Sequence, residues 1–186
     1  MMKFKNYIKR ILKHVNPTLQ LNEDSLEVVN KILGNTHFAI INNKHFPNIS
    51  NVVDELFLNN HCEMKKEILE YIERVLYKNE RVNIVFDKIK FNEDKNVSLL
   101  IATIIEYLAV DILEISGIIT RENLKVRITN EYLNKALERD EGLKMFLKNN
   151  KLFDFKDSGN LHRFRVSKSK RKTKKSKKKS IRKINL

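Results

Sequence analysis

The side chains best suited to bind an anion are concentrated near the C-terminal end of the 186-residue chain. Residues 161–186 contain 13 Lys and Arg and no acid, whereas residues 1–160 carry 24 basic and 23 acidic side chains. Nearly all of the formal net charge of +14 therefore lies in one segment. Because such a block repels itself and cannot bury a core, we predict a disordered basic tail over residues 151–186 that binds polyanions. Its candidate phosphate contacts are Lys168, Lys170, Arg171, Lys172, Lys174, Lys175, Lys177, Lys178 and Lys179.

The excess of positive charge alone is compatible with three anionic partners: nucleic acid, an acidic membrane surface and an acidic protein. A tail of this composition also fits nuclear localisation or a solubilising role. Phosphate binding through the tail would depend on the salt concentration and would carry little sequence information.

Three acids interrupt the most apolar stretch of the chain, residues 97–119. Glu106, Asp111 and Glu114 fall at about 0°, 140° and 80° around a helix that turns roughly 100° per residue, so they share one side of it. Asp140 and Glu141 could join them from the end of a later helix. Three acids argue against a membrane span, and no apolar signal peptide follows Met1, so we expect a soluble intracellular protein with no membrane partner.

Metal-ligating and catalytic patterns are weak. His61 and Cys62 are adjacent, but no second ligand pair lies at a spacing typical of zinc sites, so we expect no metal. The sequence has no nucleotide-binding loop, nucleophile elbow or paired catalytic acid and base, and we expect no cofactor and no enzymatic activity. The single cysteine excludes an intramolecular disulfide.

Helices are the elements that position these residues. The chain has only 4 Gly and 2 Pro, which disfavours sandwiches and barrels, and its hydrophobic fraction of 41% is enough for a folded core. In residues 1–79, apolar spacing predicts a short helix that ends at Asn16-Pro17 and a long helix from about Leu26. Gly34 and the residues up to Pro47 weaken this long helix. The spacing predicts a helix again over Val52–Leu58 and a shorter helix over Met64–Leu76.

Residues 80–150 repeat this plan, with a short helix over Val82–Ile89 and a long one over about Val97–Thr120. The motif Asn22-Glu23-Asp24 recurs 70 positions later as Asn92-Glu93-Asp94. An extended link, Leu124–Ile128, leads to a helix capped by Thr129, and one or two further turns follow from Leu143. The fold class is therefore all-α, with two tandem domains of similar plan.

Neither half can close a core alone, because a long helix flanked by short ones exposes apolar surface on both sides. Two copies packed antiparallel across their long helices would bury that surface. Such a pair places the first loop of one half beside the second loop of the other. Loop amides and helix N-termini then meet at each end, where they suit phosphate oxygens.

Several clusters in the second half carry a family resemblance. Ile104-Ile105-Glu106-Tyr107-Leu108, Asp111-Ile112-Leu113-Glu114, Arg121-Glu122-Asn123, Lys125-Val126-Arg127-Ile128 and Asp140-Glu141 hold their spacing across Val97–Lys148. This stretch resembles a 2A-type core histone without a gap. Tyr7–Asn30, with Ile11-Leu12-Lys13-His14-Val15-Asn16-Pro17, is similar to a 2B-type histone. The order resembles the fused histone doublets of giant DNA viruses.

The chain departs from that pattern in four places. The similarity fades from Gly34 to Asn60, almost no tail precedes Phe4, and the helix that normally follows the 2B-type fold is missing at Glu80-Arg81. Beyond Lys148 the basic tail replaces the 2A-type docking extension. The resemblance is therefore to a short variant doublet.

The resemblance implies two tandem histone folds that pair within one chain and package DNA. Arg127 matches the loop arginine that enters the minor groove in this family, with Lys125 nearby and Lys95 as a phosphate partner. Weaker DNA-binding candidates are Lys9, Arg10, Lys13, Lys65, Lys66 and Arg81. Glu106, Asp111, Glu114, Asp140 and Glu141 match the acidic patch that binds basic protein segments, although Gly142 replaces an acid there.

The implied partners are double-stranded DNA, a 3/4-type histone pair or fused doublet, and a second copy of the chain within one particle. The implied location is the virion and the viral replication compartment, with the host nucleus as a further site. A different class stays open, namely a histone-fold transcription factor or adaptor that binds protein partners without wrapping DNA.

Overall fold

A computed structural model describes residues 4–42, 62–77 and 95–155 of the chain. These residues are mostly helical, which agrees with the predicted all-α class. Their elements are α1 (Lys5–Val15), β1 (Gln20–Leu21), α2 (Glu23–Ile41), α3 (Cys62–Tyr77), α4 (Lys95–Glu122), β2 (Arg127–Ile128), α5 (Asn130–Arg139) and α6 (Glu141–Asn149). The predicted helices over Val52–Leu58 and Val82–Ile89 lie outside the described residues. None of the described helices is both long enough and apolar enough to cross a membrane.

The first two helices follow from local sequence. Helix α1 buries Ile8, Ile11 and Leu12 at helical spacing, and it ends at Asn16 because Pro17 disfavours a helical residue before it. Asn22 caps the start of α2, and its side-chain oxygen accepts a hydrogen bond from the Ser25 amide at 2.7 Å.

Gly34 does not interrupt α2, which runs unbroken to Ile41. Glycine in a helix costs about 1 kcal/mol relative to alanine. Burial of Leu33 and Ile40, both 0% exposed, on either side of it outweighs that cost. Tertiary packing therefore keeps residue 34 helical, although the local helix propensity of glycine is low.

Helix α4 is the central element of the fold. It packs against α1, α2 and α3 from the first half and against α5 from the second half. Most of its side chains from Leu100 to Leu113 are buried in one hydrophobic core that also contains Phe4, Leu26 and Phe146. The two halves therefore share a single core; that neither half could form a core alone stays a prediction.

The strands β1 and β2 are parallel, with Gln20 opposite Arg127 and Leu21 opposite Ile128. The Gln20 amide donates to the Val126 carbonyl at 2.9 Å, and the Asn22 amide donates to the Ile128 carbonyl at 3.1 Å. The first connection of the first half thus lies beside the second connection of the second half. This confirms the loop pairing predicted for one end of the molecule; the matching loops at the other end lie outside the described residues.

After α6 the chain returns to the first half. Leu152 is 3% exposed, and its carbonyl accepts a hydrogen bond from the Asn35 side chain of α2 at 3.0 Å. The rings of Phe153 and Phe155 meet edge to face, with centroids 5.0 Å apart. The sequence assigned residues 151–155 to the basic tail, but they pack on the folded part, because three apolar side chains precede the cationic run.

Candidate functional sites

The pairing of β1 with β2 creates a surface that we call the paired-loop surface: Gln20, residues 123–127 and the N-termini of α2 and α5. Arg127 is exposed, and its Nη2 donates to Gln20 Oε1 at 3.0 Å. Lys125 is exposed in the same segment. These two cations are the members of the predicted DNA-binding set that the structure brings together here.

Two helix N-termini are held side by side at this surface. The Ser25 hydroxyl in the first turn of α2 donates to Asn130 Oδ1 at the start of α5, at 2.8 Å. Thr129 occupies the predicted N-cap position of α5, but its hydroxyl makes no capping hydrogen bond. The first amides of a helix lack intrahelical acceptors and carry partial positive charge, so they attract anions. The surface thus combines two side-chain cations with two helix termini, whose first turns also carry the acids Glu23, Asp24 and Glu131.

The other predicted DNA-binding residues lie elsewhere. On α1, Arg10 and Lys13 are exposed, whereas Lys9 Nζ lies 3.9 Å from a Glu23 carboxylate oxygen. On α3, Lys65 is half-buried, and Lys66 is exposed with its Nζ 3.9 Å from Glu70. Lys95 begins α4. Arg81 and the tail residues Lys168, Lys170, Arg171, Lys172, Lys174, Lys175, Lys177, Lys178 and Lys179 lie outside the described residues.

A second site, which we call the acidic pocket, lies where α3, α4 and the start of α6 meet. Its volume is about 430 Å³, and it is lined by Met64, Glu67, Tyr107, Asp111, Asp140, Glu141 and Gly142. The Tyr107 hydroxyl donates to Glu67 Oε2 at 2.8 Å. Asp140 Oδ1 accepts from the Leu143 amide at 2.7 Å and so caps α6. Three of the predicted acids therefore converge: Asp111, Asp140 and Glu141.

Asp111 is the most perturbed acid of the pocket. Its side chain is largely buried, and no cation or hydrogen-bond donor of the described residues reaches its carboxyl group. Burial, followed by the nearby carboxylates of Asp140, Glu67 and Glu114, raises the pKa of Asp111 to about 7. Burial and the hydrogen bond to Glu67 likewise raise the pKa of Tyr107, so its hydroxyl stays protonated and available as a donor.

Glu106 does not belong to an exposed acidic surface, contrary to the prediction. It is 6% exposed, and its Oε1 accepts a hydrogen bond from the Tyr71 hydroxyl of α3 at 3.4 Å. Helix α3 covers this part of α4, so Glu106 faces a neighbouring helix. Glu114, one turn beyond Asp111, is exposed.

The sequence analysis did not identify two residues of the pocket, Glu67 and Tyr107, as site residues. Both lie on helices that apolar periodicity identifies, but nothing in that periodicity indicates that α3 places Glu67 against α4. Glu67 lies one position before Ile68, which is fully buried; an acid beside such a core position is the only local signal.

No group of metal-ligating side chains occurs among the described residues that could hold a metal ion. Of the pair singled out in the sequence, Cys62 begins α3 and His61 falls outside the described ranges. Comparison of the chain with protein-family models and with curated proteins finds no match.

Proposed function

We propose that this protein is a structural DNA-packaging protein whose two halves form a fused 2B–2A histone-fold pair. The observation that carries the proposal is the parallel pairing of Gln20–Leu21 with Arg127–Ile128. It aligns the first loop of one half with the second loop of the other, and it places the exposed Arg127 beside Gln20, just before the N-termini of α5 and α2 along their respective segments. Such an arrangement suits DNA binding without base reading, since charge and main-chain amides hold phosphates whatever the sequence.

In the proposed mechanism Arg127 enters the minor groove where that groove faces the protein. Lys125 and the first amides of α2 and α5 bind the adjacent phosphates. Gln20 accepts a hydrogen bond from Arg127 and so limits the rotamers of its long side chain before DNA binds. The basic tail adds affinity that depends on salt.

The proposed assembly contains two copies of this chain and a 3/4-type histone pair or fused doublet. Two-fold symmetry, which is common in such assemblies, accounts for the two copies. Covalent fusion raises the effective concentration of one half for the other, and the shared core around α4 supports that pairing. The proposed location is the virion and the viral replication compartment, with the host nucleus as a further site.

Reconstitution tests the proposal. The full chain is mixed with a 3/4-type histone pair and linear DNA and then digested with nuclease. We expect a protected fragment of discrete length. A continuous smear, with no protected core at any ratio of protein to DNA, would overturn the proposal.

The acidic pocket is the observation behind the alternative function, an adaptor that binds protein partners through its histone-fold pair. Its carboxylates would hold a cationic segment of a partner, with Glu67 and Asp140 in reach of an arginine placed there. The same reconstitution separates the two functions, because an adaptor gives no discrete protected fragment. The pocket also fits the packaging proposal as a docking surface for basic proteins, so partner binding alone does not decide between them.

A further inference from the structure

Two apolar side chains stand out on the paired-loop surface. Leu124 is 92% exposed and Val126 is 69% exposed, more than any other large apolar side chain of the described residues. They alternate with the cations Lys125 and Arg127 along one short segment. Neither side chain contributes to the hydrophobic core, so packing within the fold does not explain why these two positions are apolar.

Leucine is also an unfavourable residue type for the backbone conformation at position 124. It has a φ of 55°, in the left-handed region, where the end of a helix usually carries glycine or asparagine. Two hydrogen bonds fix this turn: the Leu124 amide donates to the Arg121 carbonyl at 2.8 Å, and the Lys125 amide donates to the Thr120 carbonyl at 3.0 Å. A branched side chain here strains the backbone and gains no burial in return, which points to a contact outside the chain.

The charge around these side chains indicates what that contact is. Residues 123–127 include two cations and no acid. The N-termini of α2 and α5 lie at the same end; their first amides carry partial positive charge, and their first turns also contain the acids Glu23, Asp24 and Glu131. A partner that presents both anionic oxygens and apolar surface fits this segment. The grooves of duplex DNA present both, since deoxyribose rings and base edges lie between rows of phosphates.

We propose that Leu124 and Val126 make apolar contacts with the sugars and base edges of the DNA groove that Arg127 enters. This inference rests on the proposed function, because it assumes that the paired-loop surface faces duplex DNA. Proteins that bind the minor groove use apolar side chains, leucine among them, against the groove and between base steps. Arg127 and Lys125 supply charge, while Leu124 and Val126 supply contact area.

Salt dependence separates the two kinds of contact. A cation that neutralises a phosphate releases a counterion, so its loss reduces the slope of log K against log salt. An apolar contact releases no counterion. Loss of the apolar pair therefore lowers the affinity by the same factor at every salt concentration.

The test compares full-length variants that bind fluorescent duplex DNA over a series of salt concentrations; the tail is the same in all of them. We expect the double variant Leu124→Gly, Val126→Thr to bind about fivefold more weakly at each concentration with an unchanged slope, as for partial loss of a buried leucine. Lys125→Ala should reduce the slope by about one. The matched control is Phe38→Ala, which removes a side chain that is 66% exposed near the opposite end of α2, about 24 Å from Asn22 along the helix.

Thermal unfolding of the same variants tests whether weaker DNA binding merely reflects a destabilised fold. Leu124→Gly relieves the left-handed strain, so the melting temperature should stay the same or rise while DNA affinity falls. If the double variant binds DNA like the unmodified protein while Lys125→Ala and Arg127→Ala bind more weakly, the apolar contact is refuted and the DNA-binding surface stands. If all of these variants bind DNA as tightly as the unmodified protein, both the apolar contact and the proposed DNA-binding surface are refuted. A reduced slope for the double variant would also refute the apolar contact.

Discussion

The side-chain amide of Asn16 occupies the space that a Cβ atom on Gly117 would fill. A Cβ built on Gly117 lies only 2.6 Å from the Asn16 Cγ and Oδ1 atoms. Asn16 is 2% exposed; its Nδ2 donates to the Leu113 carbonyl at 3.0 Å, and Arg121 Nη1 donates to its Oδ1. The end of α1 in the first half is thereby held against α4 in the second half.

Gly117→Ala should destabilise the protein, although alanine is the better helix former. The helix propensity gain is about 1 kcal/mol, whereas the added methyl group forces Asn16 out of a buried site and breaks its hydrogen bonds, which costs about 2–4 kcal/mol. Urea unfolding measures the net loss. Gly142→Ala is the matched control, since its Cβ would lie 3.4 Å from Asp140 Oδ1 and 3.7 Å from Met64 Cβ, close to ordinary contact. An equal effect of both substitutions would contradict this account.

A double-mutant cycle tests the contact directly. Asn16→Ala removes the three atoms that a methyl group on Gly117 would meet, so Gly117→Ala should cost little in that background. We expect a coupling free energy of about 1–3 kcal/mol, with the double variant more stable than the sum of the single changes predicts. Additive free energies of unfolding would show that Asn16 is not what excludes a side chain at position 117.

Arg127→Ala should increase the opening of DNA ends in a reconstituted particle, because it removes the side chain that the proposed function places in the minor groove. Energy transfer between dyes on the DNA ends and the protein core measures the open fraction. Lys31→Ala is the control, since Lys31 is an exposed cation on α2 away from the paired loops. Unchanged opening in Arg127→Ala, or equal opening in both variants, would remove Arg127 from the DNA contact.

The stability of the protein should fall as the pH rises from about 4 to 7 because of Asp111. Its pKa is raised to about 7 in the folded chain, whereas an unfolded aspartate has a pKa of about 3.9. Between these values the folded state binds the extra proton, so the contribution of Asp111 is most favourable at low pH and is lost as the pH approaches 7.

Asp111→Asn keeps the size of the side chain and removes this titration. Relative to the unmodified protein, it should gain about 1–3 kcal/mol of stability on going from pH 5 to pH 8, measured as the shift in urea midpoint. Glu138→Gln is the control, because Glu138 is an exposed acid on α5 that is not among the carboxylates raising the pKa of Asp111. The same stability difference at both pH values would mean that Asp111 is ionised throughout.

Local pattern predicted the elements better than their contacts. The spacing of Ile8, Ile11 and Leu12 defines the buried face of α1, and a packing argument from the two long helices predicted which loops meet. Periodicity placed Glu106 on the same side of α4 as Asp111, but it could not show that Tyr71 covers Glu106, because that contact joins residues 35 positions apart. For the same reason, periodicity could not predict that Glu67 lies in the acidic pocket.

The acidic pocket should bind an arginine-bearing basic peptide more tightly as the pH rises through 7. Deprotonation of Asp111 adds a carboxylate to those of Glu67 and Asp140, and an arginine placed among them is attracted more strongly. Fluorescence polarisation at pH 6 and pH 8 measures the change with the full chain. The double variant Asp111→Asn, Glu114→Gln should bind weakly at both pH values, while Glu138→Gln, an exposed acid on α5, should bind as the unmodified protein does. Retained binding in the double variant would show that the peptide docks elsewhere, and an affinity independent of pH would show that Asp111 does not contact it.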